Sequence, residues 1–405
     1  MMGAAGPLAG IRIIDLTNVV MGPYATHILA DFGADVIKIE APEGDVLRAY
    51  QPARNPGMAG IFLHVNRNKR SVLLNLKRPE ARAALDRLIE SADVFVHALR
   101  PQAIARLGYD YERVRGLKPD IVYCGAYGFG KDGRYAEKAA YDDLIQAGSG
   151  LAALHGAMHG EVGYLPTVIC DKAAGQAIAN AILAALFHRA RTGEGQAVEV
   201  PMFEAMIEFN MIEHMGGTAF EPSLGKTGFS RVLSPNRKPY RTRDGYACIL
   251  PYTDRNWQDF LRYIDRADLA DDPEVATIDR RAAIIGQLYG EVAKAAPRHT
   301  TAEWVEFCDS KSIPCMPMFG LDDLIDNPHL ADVGFFRIEN HPSEGPYRSM
   351  RAPANFSETP FQLRRHAPRL GENTAELLRE AGLSEEEIAM IAPGAIMAVE
   401  SEGAA

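Results

Sequence analysis

The chain has 405 residues, 47% hydrophobic and 24% charged, which is ordinary for a globular protein and long enough for two or three domains. A formal net charge of -10 excludes a broad surface that tracks nucleic-acid phosphates, because that needs a surplus of Lys and Arg, but leaves room for a local basic pocket. The longest nearly apolar run, within 173–187, is too short for a bilayer and is broken by Asn180.

The opening "MMGAAGPLAG" lacks the basic region, apolar core and cleavage site of an export signal. Five scattered cysteines (Cys124, Cys170, Cys248, Cys308, Cys315) form no C-x-x-C pair and read as free thiols, so the expected setting is the cytoplasm. Next in the chain, "IRIIDL" (11–16) reads as a strand, 23–33 as a helix ending at Gly33, and "ADVIKIE" (34–40) as a second strand. "SVLLNL" (71–76) follows as a strand, then a helix from Pro79 to Ala92 with proline in its first turn, then "DVFVHAL" (93–99) and "DIVYCGAY" (120–127). A long alanine-rich helix opens near Asp171, with Ile178, Ile182 and Leu186 four apart on one face and Arg189, Arg191 and Gly193 at its end. "GQAVEVPM" (195–202) leads into a helix that runs to Met215.

Short apolar strands alternating with amphipathic helices predict an α/β fold built on a mostly parallel, Rossmann-like sheet. Beyond 216 the pattern changes. Two strand-like pieces flank an Asp244-Gly245 turn, and helices follow near 255–264, 281–296 and 301–311. The expected organisation is a large domain from 1–215 and 330–405, a small α+β domain at 225–325, and linkers at 216–224 and 326–329. From 330 the chain is Pro-rich and reads as extended, closing with helices near 373–382 and 384–391, the latter capped by Ser384.

Gly128, Gly130 and Gly133 satisfy G-x-G-x-x-G after a strand, but no helix opens directly behind them, so a dinucleotide turn is not expected. His155 and His159 sit in "LHGAMHG", which reads as a glycine-bracketed loop rather than a metal site. Arg67, Lys69, Arg70, Lys77 and Arg78, joined by Arg100 and Arg106, form the densest basic region and the place to seat a phosphate-bearing ligand. Cys170 beside Asp171 reads as a packed thiol in preference to a nucleophile. For Asp171 itself two readings stand on residues alone. As an N-cap it would accept a first-turn amide and meet the positive end of the helix dipole, worth about 0.5–2 kcal/mol. As a nucleophile it would be held ionised by that dipole while Ala173, Ala174 and Gly175 let a bulky substrate approach, and it would attack an activated acyl group.

The stretches "PLAGIRIIDLTNVVMGPYATHILADFGADVIKIE", "NRNKRSVLLNL", "YDDLIQAGSG", "CDKAAGQAIANAILAALFHRARTGEGQAVEVPMFEA", "KPYRTRDGYACI" and "IPCMPMFGLDDLIDNPHL" occur in this order along nearly the whole chain. Together they resemble the family III CoA-transferases, the group that holds formyl-CoA transferases, carnitine CoA-transferases and α-methylacyl-CoA racemases. The resemblance implies a nucleophilic aspartate at Asp171, which attacks the donor thioester to give an aspartyl anhydride and then an aspartyl-CoA thioester. It implies no cofactor beyond coenzyme A as acyl-CoA substrate, a carboxylic acid as second substrate, neither nucleic acid nor membrane as partner, and an interlocked homodimer. Lys77 and Arg106 match positions that hold the nucleotide phosphates, Leu74 one that packs near the adenine, and Arg100 and Lys138 are further candidates for the CoA site.

Several positions depart from the family pattern. Ala41 stands where some members have Arg, Ala98 where Asn is common and Gln102 where Gly is common, with Arg100 able to compensate for the first. Racemase members pair the aspartate with a His followed by Asp; here Tyr141-Asp142 stands at that place. A phenol ordinarily titrates near 10 and exchanges α-protons poorly, but it orients a carboxylate or anhydride well, so the pair Tyr141 and Asp142 points to transfer and leaves isomerisation as the alternative. The glycine-run lid of the formate and oxalate enzymes is replaced by "GFSRVLSPNRKPY", which favours other short carboxylic or dicarboxylic acids. His64, Arg231 and Arg237 are then candidates to meet a distal carboxylate.

Overall fold

The computed structural model describes residues 6–392. In chain order it forms β1 (Arg12–Leu16), α1 (Met21–Asp31), β2 (Asp35–Glu40), α2 (Gly60–Asn66), β3 (Lys69–Leu73), α3 (Pro79–Glu90), β4 (Val94–His97), α4 (Pro101–Leu107), α5 (Tyr111–Leu117) and β5 (Val122–Tyr127). Then follow α6 (Asp142–Gly148), α7 (Leu151–His159), α8 (Ile169–Thr192), β6 (Ala197–Pro201) and α9 (Met202–His214). The chain divides into two compact units. The first comprises the chain up to Gly150, Leu165–Phe209 and the return from Ala331; the second comprises Leu151–Tyr164 and Asn210–Leu330. Residues 151–164, placed with the large domain on sequence, group with the second unit.

The first unit is built on a six-stranded sheet in the order β3-β2-β1-β4-β5-β6, with every pairing parallel. That is the doubly wound order in which ligands bind outside the carboxyl ends of the strands, near the reversal between β1 and β4. One face of the sheet packs Ile14, Ile37, Val72 and Phe95 against α3 and against two helices from the far end of the sequence, α15 (Thr374–Glu380) and α16 (Glu385–Ile391), through Leu85, Leu377 and Ile388. Helix α16 starts at the expected cap: the Ser384 hydroxyl accepts from Glu387 N while the Glu387 carboxylate accepts from Ser384 N.

Between those ends the second unit holds a three-stranded antiparallel sheet, β7 (Tyr240–Arg241), β8 (Tyr246–Ile249) and β9 (Cys315–Pro317), joined at the expected Asp244-Gly245 turn. Helices α10 (Asp254–Tyr263), α11 (Ala267–Ala270), α12 (Ile278–Ala295) and α13 (Thr301–Ser310) cover it around Trp257, Phe260 and Trp304. After α14 (Pro328–Asp332), the segment expected as merely extended is an antiparallel hairpin, β10 (Phe336–His341) and β11 (Gly345–Met350), turning at Gly345 with φ +64°. The His155–His159 stretch, expected as a loop, is the body of α7, hidden in the sequence by the glycines at 150, 156 and 160.

Three residues of the basic run are structural. Arg67 pairs with Asp31 at 2.6 Å, and Arg70 pairs with Asp35 at 2.6 Å, Glu376 at 2.9 Å and Glu380 at 2.7 Å. Lys69 is sealed beside Asp15, Thr26 and Asn66, with Nζ 2.7 Å from Thr26 Oγ1. A buried cation is tolerated only when it is paired and hydrogen-bonded, so these side chains are consumed inside the fold and cannot also hold a phosphate.

Helix α8 crosses α1 closely. A Cβ placed on Gly175 would lie 2.7 Å from the Met21 carbonyl oxygen and 3.0 Å from Tyr24 Cδ1. Gly175 is buried in this contact, so its small size serves helix packing, where the sequence expectation gave it to substrate access. Gly175→Ala is accordingly expected to push α1 and α8 apart and destabilise the protein by about 1–3 kcal/mol, read by denaturant unfolding; an unchanged midpoint would show that the crossing is slack.

Candidate active site

The helix α8 begins without a cap of its own. Its N-cap position is Val168, which has no side-chain oxygen. The missing acceptor comes from α6: Asp142 Oδ1 accepts from the backbone N–H of Cys170 at 2.7 Å and of Asp171 at 3.0 Å. These are the second and third amides of α8, the pair an ordinary N-cap side chain would satisfy. Asp142 is fixed in turn, since its Oδ2 accepts from Gln146 Nε2 at 2.7 Å and Gln146 Oε1 accepts from Leu165 N at 2.9 Å.

This changes the reading of Asp171. It is the third residue of α8 and not its cap, and its carboxylate has no hydrogen-bond donor among the described residues. It is 8% exposed, open to a ligand yet largely stripped of water. Burial pushes its pKa up to about 7, and the neighbouring Asp142 and Asp143 carboxylates push in the same direction. The helix dipole was expected to hold Asp171 ionised. Instead the dipole's amides are already taken by Asp142, a like charge, so near neutrality the Asp171 carboxyl sits between its two forms. A group so poised serves as a base or as a nucleophile. Cys170 does neither: it is fully buried, and burial, reinforced by Asp142 and Asp171, pushes its thiol up to about 12.

Tyr141 precedes α6 at its N-cap position and is 68% exposed. The structure brings Asp142 against the turn that carries Asp171, while Tyr141 adjoins Asp142 along the chain with its side chain exposed; the sequence expectation did not include Gln146. The only sequence signal for Gln146 is its spacing of four from Asp142 on one helix.

The candidate CoA cations follow the carboxyl ends of the sheet strands: Lys77 after β3, Arg100 and Arg106 after β4, Lys138 after β5. All four are exposed. Arg100 and Lys138 come together, because Arg100 Nη1 donates to the Glu137 carbonyl at 2.9 Å while the Lys138 ammonium lies 4.2 Å from the Tyr135 ring centre. Leu74 does not join them. At 1% exposure it is sealed in the core beneath α3 and offers no face to a nucleobase. The Gly128–Gly133 turn is no phosphate cradle, since Gly130 N and Lys131 N already donate to the carboxylates of Glu204 and Glu199 at 3.0 and 2.7 Å. Of the distal candidates, His64 is partly buried, and burial followed by Arg67 lowers its pKa. No His/Cys/Asp/Glu cluster able to hold a metal occurs among the described residues, and no helix is long and apolar enough to cross a membrane.

A carboxyl raised to about 7 in the folded chain but titrating near 3.8 when exposed costs stability as pH climbs from 4 to 7, because only the unfolded chain releases its proton freely. Asp171→Asn is therefore expected to stabilise the protein by roughly 2–4 kcal/mol above pH 7, the gain shrinking as pH falls toward 4. Denaturant unfolding of both proteins across that range measures it; an equal gain at every pH would contradict the raised pKa.

The model for CoA-transferase family III matches residues 8–374. Among curated proteins, a succinate–glutarate CoA-transferase of Agrobacterium fabrum is 31% identical, over 92% of this chain and 95% of its own. A formyl-CoA:oxalate CoA-transferase of Escherichia coli O157:H7 is 30% identical over 95% of this chain and 97% of its own. Among solved structures, a CAIB/BAIF family protein from Brucella suis superposes with TM-score 0.78 at 28% identity, covering 93% of this chain and all (100%) of that one. A hypothetical protein from Mycobacterium tuberculosis gives TM-score 0.78 at 28% identity, over 92% and 99% of the two chains. With the family's model running from the first strand into α15, and relatives of the same length on both measures, the chain belongs to CoA-transferase family III.

Proposed function

We propose that the protein moves coenzyme A from an acyl-CoA donor to a short carboxylic or dicarboxylic acid, with Asp171 as the nucleophile. The observation that carries this reading is the Asp171 carboxylate on the first turn of α8, reachable, largely desolvated and with no hydrogen-bond donor among the described residues. An ionised carboxylate stripped of water and hydrogen bonds keeps its electron pair available for a thioester carbonyl. Attack forms an anhydride between Asp171 and the donor acyl group and expels CoA thiolate. The thiolate returns to the Asp171 carbonyl, releasing the donor acid and leaving an aspartyl-CoA thioester. The acceptor carboxylate then attacks that thioester, and CoA thiolate, freed once more, cleaves the new anhydride at the acceptor's carbonyl. Asp171 is regenerated as a carboxylate. Every bond broken is an activated acyl bond replaced by another, so the cycle needs neither ATP nor a metal.

Asp142 holds the first turn of α8 and supplies the negative field that keeps Asp171 from being spent as a helix cap. Tyr141 has an exposed hydroxyl next to Asp142 in sequence and serves to orient the acyl group. Lys77, Arg100, Arg106 and Lys138 are the cations assigned to the CoA phosphates. The substrates named for the two curated relatives are all small acids or their CoA thioesters, which supports an acid of that size here. The same proposal makes the protein a homodimer in the cytoplasm. Exposed Ile212, Leu224 and Leu321 are apolar surface for a partner copy, and all five cysteines are free thiols, as a reducing compartment requires.

The test is CoA exchange between succinyl-CoA and a panel of acids, followed by mass spectrometry. Asp171→Asn is expected to lower kcat/KM by at least about a thousandfold. The wild-type kcat/KM for the donor is expected to rise with pH through about 7 as Asp171 ionises. Asp142→Asn keeps an oxygen for the α8 amides but removes the like charge, so its limb moves to lower pH. Retained exchange in Asp171→Asn, or an acid limb indifferent to Asp142→Asn, would contradict the reading.

A further inference from the structure

The second unit carries a half-open cleft of about 450 Å³, a size typical of small-molecule sites. Its walls are largely apolar, with Phe229, Val232 and Leu250 among them, yet three cations line it: Arg231, Arg237 and Lys238. No Asp or Glu is among the lining residues. Positive charge lining a cleft without an acidic residue in its walls, set against an apolar surface, is complementary to an anion on an apolar body.

Arg231 and the turn that carries Arg237 are held in place. Arg231 Nε donates to the Tyr289 hydroxyl at 3.1 Å, and its guanidinium lies 4.5 Å from the Tyr252 ring centre. Tyr289 is itself buried, so the planar fork is anchored at its root and stacked on a face. Arg237 sits at the end of a Ser234-Pro235-Asn236-Arg237 turn closed by Arg237 N donating to Ser234 O at 2.9 Å, with proline where such turns favour it. Asn236 Nδ2 donates to the Gly286 carbonyl at 3.0 Å, tying that turn to α12. Cys248, an exposed thiol on β8, lines the same cleft. Burial and Cys315 push its pKa up, while the Arg237 charge pulls it down, which places that guanidinium's field on the thiol.

We propose that this cleft binds the carboxylate of a short, apolar-bodied organic acid, gripped by the Arg231 fork with Arg237 and Lys238 completing the charge. The ligand class rests on the transferase reading above. Two sources carry the same chemistry, a free dicarboxylic acid and the distal carboxylate of its CoA thioester.

Cys248 reports on the cleft without any turnover, so failure here is separable from failure of the transferase reading. Alkylation of the whole protein by anionic iodoacetate and by neutral iodoacetamide is followed at the Cys248 peptide by mass spectrometry. A raised thiol pKa slows both reagents alike, so their ratio reads only the local field. The ratio is expected to exceed that of glutathione about tenfold, to fall as salt is added, and to return toward the glutathione value in Arg237→Ala and Lys238→Ala, both exposed positions. Glutarate or glutaryl-CoA is expected to protect Cys248 saturably. Protection by glutarate assigns the free acid, protection by glutaryl-CoA alone assigns the thioester, and either sustains the proposal. A ratio equal to that of glutathione, protection by neither, or equal protection by inorganic phosphate would overturn it.

Discussion

Two hydrogen bonds from the first turn of α8 to the Asp142 carboxylate set the terms for the rest of the site. A helix that starts at a valine must borrow its cap, and here it borrows a negative one. The loan fixes where Asp171 stands, because the α8 backbone is pinned at that residue. It also fixes how Asp171 behaves, because the amides that would have stabilised its charge face another carboxylate. Gln146 completes the arrangement by holding the second Asp142 oxygen. The result is a carboxyl left underbonded at a place where an ordinary helix start would have satisfied it. Such a group is a cost to folding, and costs of this kind are characteristic of sites kept for chemistry.

The surrounding sheet divides the protein's cations into two populations. Those on or just before β3, Arg67, Lys69 and Arg70, enter the fold and are matched to Asp31, Asp15 and Asp35. Those beyond the carboxyl ends of the strands stay outside, at Lys77, Arg100, Arg106 and Lys138. Net negative charge and a local positive edge are thus compatible. The buried cations are matched by buried or half-buried acids, and the four exposed ones follow the carboxyl ends of strands in a parallel sheet whose order places ligands on that side.

Much of this was legible in the sequence. The six strands of the parallel sheet, the long α8 and the Ser384 cap follow from periodicity and end signals that act over a few residues, and those are the scales at which local propensity decides structure. What depended on distant partners was not. The cap of α8 comes from 28 residues upstream of Cys170, so residues alone left Asp171 open to being a cap, when it is the residue a cap holds in place. Leu74 looked available to a nucleobase because its burial is decided by helices near residue 377, at the other end of the chain. The basic run looked like one feature, and only pairing geometry separates its structural members from its exposed ones. Glycines hid α7, and the prolines beyond 330 obscured the β10–β11 hairpin.

Exchange through Asp171 requires that its carboxylate become covalently acylated. The most direct measurement is to mix the protein with succinyl-CoA, quench with hydroxylamine and locate the product by peptide mass spectrometry. The expected product is a hydroxamate at Asp171, absent when succinyl-CoA is omitted and absent from Asp171→Asn. A trapped acyl species on any other residue, or continued exchange with Asp171 never modified, would contradict it.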